Sequence, residues 1–171
     1  MNINSMKAIL IILPVIFLVA ACEDPKDSIC SPLWWFSGGT HAPDIESVPD
    51  TIEIEGTHLY LSSELWRNFM PPNCSECSRL AASIRIIDCD SVSVPGSVDP
   101  QCIWVLNGDK IWGSRFSDEV LPPNYPYVVL RIARCGPKWD TDILVDVIVK
   151  INSGDDVYFI RNRDVRILRV E

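Results

Sequence analysis

The chain has 171 residues, 47% hydrophobic and 22% charged, with 13 Pro, 8 Gly and 7 Cys. That composition excludes a disordered chain, a collagen and a low-complexity fibre, and the length allows one domain or at most two small ones. The net charge of −8 argues against a nucleic-acid partner, because no basic surplus is present to neutralise phosphates.

In chain order the first element is an apolar run of fourteen residues, Ala8 to Ala21, preceded by Lys7. A membrane-spanning helix needs about 20 such residues. Fourteen fits the apolar region of a secretory signal peptide. The run ends Leu18-Val19-Ala20-Ala21-Cys22, which resembles the lipobox of bacterial lipoproteins, with small residues before a Cys. The resemblance implies that residues 1–21 are cleaved as a signal peptide and that Cys22 is lipidated, as by palmitate, to become the mature N-terminus. The membrane is then a partner through that lipid. Glu23, rather than Asp, beside the modified Cys points to the outer membrane of the bacterial cell envelope.

Removing Cys22 from the count leaves Cys30, Cys74, Cys77, Cys89, Cys102 and Cys135. In an oxidising envelope compartment six cysteines read as up to three disulfides, with 15 connectivities open. Cys89 and Cys102 flank a Ser/Val/Pro loop between two predicted adjacent strands, so the expectation is that they staple its base. Cys30, Cys74, Cys77 and Cys135 would then form the other bonds, with Cys135 within reach of the Cys74/Cys77 loop. Cys74-Ser75-Glu76-Cys77 has redox spacing, but it follows Pro71-Pro72 and precedes a strand. No helix N-terminus is there to depress a thiol pKa. Cys74, Cys77, Cys89 and Cys102 could supply four zinc thiolates, though the gaps after the pair do not repeat C-x-x-C.

Residues 22–49 read as a lipidated N-terminus and linker, carrying Pro25, Pro32, Pro43, Pro49 and Gly38-Gly39. Within it Leu33-Trp34-Trp35-Phe36 either packs back onto the domain, pinned by Cys30, or offers Trp34, Trp35 and Phe36 as a binding patch for sugar, lipid or protein. Residues 50–171 form the domain, and there the hydrophobic period is two. Thr51–Glu55 alternates, and His58–Leu65 is a second candidate strand, with a short helical turn expected near Ser62–Phe69. Leu80, Ala82, Ile84 and Ile86 share one face. Cys102–Leu106 runs through Asn107-Gly108, a strong hairpin signal, into Lys110–Phe116, which sets Trp104 opposite Ile111 and Val105 on the face of Trp112. Tyr127–Ala133 follows, then Ile143, Val145, Val147, Val149 and Ile151 on one face. Asn152-Ser153-Gly154-Asp155 turns into Val157–Ile160, and a last strand spans Val165–Val170. Seven to nine short strands predict an all-β fold, an Ig-like β-sandwich with Trp104 as its central core Trp, or alternatively a small β-barrel.

Leu65-Trp66-Arg67-Asn68-Phe69-Met70-Pro71 resembles a segment of uncharacterised small all-β envelope lipoproteins and implies no activity. No P-loop, dinucleotide fingerprint, G-x-S-x-G or calcium loop is present, so no cofactor, metal or catalytic residue is assigned. His41 and His58 are poorly placed for a triad. Asp142 and Asp146, four apart on a strand, lie about 13 Å from each other and cannot chelate one ion alone. Arg161, Arg163, Arg166 and Arg169 read as protection of an edge strand, or else as an anion site. The sequence therefore predicts a non-catalytic, lipid-anchored binding or assembly module for an envelope protein or saccharide polymer. The alternatives are an acidic inhibitor of a basic hydrolase such as lysozyme and a thiol oxidoreductase using Cys74 and Cys77.

Overall fold

A computed structural model describes residues 30, 44–70, 78–117 and 125–171. Eight strands follow one 3-10 turn at Ile45–Ser47: β1 Thr51–Ile54, β2 Thr57–Asn68, β3 Leu80–Asp88, β4 Asp99–Asn107, β5 Lys110–Arg115, β6 Val128–Ala133, β7 Leu144–Ser153 and β8 Asp156–Val170. They form one sheet in the order β5-β4-β7-β8-β2-β3-β6, with β1 paired to β2. The sheet curls into a half-barrel, so the all-β expectation of seven to nine strands holds, within the range of sandwich and small-barrel arrangements. Every pairing is antiparallel except β2 with β8.

Alternation builds the core. Leu80, Ala82, Ile84 and Ile86 of β3, Ile103 and Val105 of β4, and Val147, Val149 and Ile151 of β7 are all fully buried inside the curl. The sheet closes its own concave face, because period-two side chains from opposite walls meet there.

Two turns show how local chemistry sets register. Glu55 (φ 51) and Gly56 (φ 77) join β1 to β2 with Ile54 opposite Thr57. Positive φ at both central positions is the requirement of a type I′ hairpin. Between β4 and β5 the two-residue loop is Gly108-Asp109, not Asn107-Gly108, since Asn107 pairs with Lys110. Gly108, at φ 60, takes the first central position. The register therefore moves by two from the sequence expectation: Trp104 lies opposite Gly113, and Leu106 opposite Ile111. A shift of two preserves faces, so Val105 and Trp112 still share the core side. Packing explains the choice. A Cβ on residue 113 would come within 2.9 Å of the Trp104 ring and 2.2 Å of the Cys30 carbonyl oxygen, so only Gly fits opposite the indole.

The helical turn expected near Ser62–Phe69 is strand, because β2 continues unbroken to Asn68 between β3 and β8. The separate strands expected at Val157–Ile160 and Val165–Val170 are one fifteen-residue strand, β8. Its first part pairs with β7 as far as Arg166, and its last residues pair with β2 from Ile167. The strand turns this corner at a bulge. Arg163 and Asp164 stand opposite the single residue Asp146, and Asp164 has a φ of 54. Such a two-against-one insertion bends a strand and increases its twist, which is what a curled sheet needs at its midpoint. The far edges of the sheet approach each other where Ser117, just past β5, donates its backbone N–H to Ile132 of β6 at 2.8 Å.

Candidate functional site

Cys22, Trp34, Trp35, Phe36, Cys74 and Cys77 lie outside the described residues. The other cysteines revise the expected connectivity. Cys102 is bonded to Cys30, across 72 residues of sequence, and Cys89 is a free, exposed thiol. The expected Cys89–Cys102 staple is thus overturned, as is any zinc site that used Cys102. Cys102 sits on the outer face of β4, with Trp104 and Ile148, and that apolar face needs a cover. Cys30 and Val48 provide it, each nearly inaccessible, flanked by Ile45, Leu106, Ile111 and Phe159. Cys89 has turned past the end of β3 and faces solvent. Cys135 is disulfide-bonded, to a partner outside the described residues.

The described part of the segment 22–49, Cys30 and residues 44–49, is therefore docked on the domain. Arg161 holds it there. Its side chain is 5% exposed. It donates to the Ile45 carbonyl at 2.8 Å, to Glu46 at 3.4 Å, and to Asp146. Its backbone N–H donates to Pro49 at 2.9 Å. Burial alone would raise the Asp146 pKa, but the Arg161 hydrogen bond, the Asp164 N–H at 2.9 Å and the charges of Arg161 and Arg163 outweigh it and lower it. Asp146, through Arg161, thus joins the N-terminal segment, the β8 bulge and β7 in one knot, and it is not a free carboxylate for a metal. Among the described residues no group of three His, Cys, Asp or Glu is arranged to hold a metal ion.

The other arginines are likewise occupied. Arg163 pairs with Asp50 at 3.1 Å, Arg166 with Asp142 at 3.8 Å, and Arg169 with Glu171 while lying over the Phe69 ring at 4.2 Å. β8 lies between β7 and β2 in the strand order, but β2 pairs only with its residues from Ile167 on, so Arg161, Arg163 and Arg166 lie where β8 is laddered on the β7 side alone. Their charges serve internal pairing.

A site that sequence reasoning missed lies on the outer face at the other half of the sheet. Trp66 and Asn68 from the end of β2, Arg79, Leu80 and Ala81 at the start of β3, and Arg134 and Cys135 after β6 enclose a cleft of about 220 Å³. Its shape follows from one cross-strand pair. Trp66 stands opposite Ala81, so the indole forms a wall and the small Ala leaves a floor. The third side is fixed by Gly136, whose N–H donates to the Leu80 carbonyl at 2.9 Å. No side chain fits on Gly136, since a Cβ would meet Leu80 at 2.9 Å and Trp112 at 3.0 Å. Arg67 braces the floor from the core side, donating to Ser78 at 2.7 Å and Trp139 at 2.7 Å. Arg79 and Arg134 also engage neighbours. Two guanidinium groups, an amide and an indole suit the recognition of an anionic group attached to an apolar or sugar-like ring. Only the outward position of Trp66 and its spacing from Arg79 signal the cleft in the sequence, and neither marks it without the β2–β3 register.

Comparison of the chain with family models, with curated proteins and with solved structures gives no match.

Proposed function

We propose that the chain is a lipid-anchored module of the bacterial cell envelope, tethered through Cys22, which binds an anionic saccharide without catalysing a reaction on it. The observation that carries the ligand class is the cleft between Trp66, Arg79 and Arg134, where cationic groups and an aromatic wall converge on a chain whose net charge is −8. An acidic surface repels an acidic polymer except where such a site is built, so the polymer is held at one place. The cleft volume of about 220 Å³ suits about one sugar residue, smaller than the roughly 300–1,000 Å³ of pockets that engulf drug-sized ligands. The anchor rests on the leader and its Cys22.

Two measurements test the reading. Intact mass of membrane-extracted protein is expected to lack residues 1–21 and to carry acyl groups on Cys22. Calorimetric titration with a uronic-acid oligosaccharide is expected to show saturable binding that weakens with salt, disappears in Arg134→Ala, and is absent for a neutral glucan of equal length. Equal binding of the neutral glucan, or an unaffected Arg134→Ala, would reject the ligand class.

A further inference from the structure

The Cys30–Cys102 disulfide fixes where the domain can stand relative to its anchor. The proposal below rests on the lipid-anchor reading. Read as a free linker, residues 22–49 would let the domain wander. Disulfide aside, the described contact that ties the segment down is at Ile45, whose carbonyl Arg161 binds. Twenty-three residue steps extend to at most about 80 Å. With the disulfide in place, Cys30 is covalently fixed to the outer face of β4. Only eight steps then separate it from Cys22, at most about 29 Å when fully extended. A compact domain of this size is roughly 36 Å across, from its expected radius of gyration. The leash is therefore shorter than the body it holds, and the domain cannot lift clear of the surface by its own diameter.

The leash is also attached on one side of the domain. Its attachment point lies on the outer face of the β4–β7 half, with Trp104 and Ile148. The Trp66–Arg79–Arg134 cleft lies on the outer face of β2–β3, three to four strands from β4 along the curled sheet. Because the sheet bends into a half-barrel, these two outer faces look in different directions. We infer that the Cys30–Cys102 disulfide is a strap that keeps the domain close to the lipid headgroup surface, tethered from its β4–β7 side rather than from the side of the cleft. Oxidation state then sets reach. Removing the strap by Cys30→Ser/Cys102→Ser lengthens the leash and leaves the disulfide of Cys135 at the cleft in place.

The exposed thiol of Cys89 supplies the probe. The full lipidated chain is labelled at Cys89 with a donor fluorophore and inserted in phosphatidylethanolamine/phosphatidylglycerol vesicles carrying an acceptor on a headgroup, with Cys89→Ser as the background control. Strong transfer is expected for the native chain and a loss of transfer for Cys30→Ser/Cys102→Ser. A second variant keeps the disulfide and inserts fifteen Gly/Ser residues between Glu23 and Cys30. It guards against misfolding of the first and is expected to show the same loss. Unchanged transfer in the insertion variant overturns the strap while leaving the anchor intact. Failure of the native chain to float with the vesicles overturns the anchor, and the strap with it.

Discussion

Asp146 anchors the arginine, Arg161, that holds the N-terminal segment in place. Its carboxylate receives the Arg161 guanidinium and the N–H of Asp164 in the bulge. Removing the partly exposed Asp146 leaves the nearly inaccessible Arg161 with only the exposed Glu46 as counter-charge, at a cost of about 2 kcal/mol, below the roughly 3–5 kcal/mol of a fully buried pair. Asp146→Asn is expected to destabilise the fold by about that amount in urea unfolding. Its effect on pH dependence has a definite sign. The folded-state pKa of Asp146 is lowered, so the unfolded chain binds the proton more readily. The resulting stability is fully present above the unfolded value of about 3.9 and is lost as pH falls through the folded value. Asp88 acts in the same direction, its pKa lowered by the backbone N–H groups of Asp90, Val92 and Ser93 against the effect of burial. Wild-type stability should therefore decline below about pH 4, and the decline should be shallower in Asp146→Asn. A parallel decline in both proteins would remove Asp146 from this role. At Gly113 the constraint is steric. Gly113→Ala places a methyl against the Cys30 carbonyl and the Trp104 ring, and overpacking of this kind costs roughly 1–3 kcal/mol. Thermal melting of the variant checks it.

The elements owe their order to turns and to one bulge. The Glu55-Gly56, Gly108-Asp109 and Gly154-Asp155 turns each place Gly at positive φ, so three hairpins are specified locally. The N-terminal strap is different, because residue 30 meets β4 only through long-range packing and a covalent bond. Closing a loop of 72 residues should contribute about 4 kcal/mol, mostly by restricting the unfolded chain. Cys30→Ser/Cys102→Ser is expected to lose that much and still fold, because the main core lies on the opposite face of β4 from the disulfide. Denaturant midpoints measured at constant m-value would show it, and a loss below about 1 kcal/mol would contradict the chain-entropy account.

At the scale of the whole molecule, β8 is the hinge on which the half-barrel curls. It pairs with β7 up to Arg166, bends, and pairs parallel to β2 from Ile167 to Val170. Both halves of the sheet therefore depend on the last residues of the chain. Deleting residues 167–171 removes the fully buried Ile167 and the whole β2–β8 pairing. Loss of a cooperative unfolding transition is expected, even though most of the antiparallel ladder remains. Circular dichroism during heating tests this directly, and a sharp two-state melt of the truncated chain would show that the halves fold independently.

Much of this molecule is legible one residue after another. Period-two alternation marked β1, β3, β4, β5, β6 and β7, because a one-sided sheet writes its buried face into every second position. The Gly turns were visible because few residues tolerate positive φ. The length of the apolar leader and its closing Cys22 led to the expectation of a secreted, lipidated chain. Tertiary structure alone decided the partner of Cys102. Sequence proximity favoured Cys89, whereas the bond follows the apolar outer face of β4, which needed a cover that only the N-terminal segment provides. It also decided that Arg161 is a buried clamp rather than part of an anion patch, since charge spacing along a strand does not reveal which carboxylates stand opposite. The cleft of Trp66, Arg79 and Arg134 belongs to the same class. Its walls come from three separated segments, and only the register of β2 on β3 and the return of the chain after β6 bring them together.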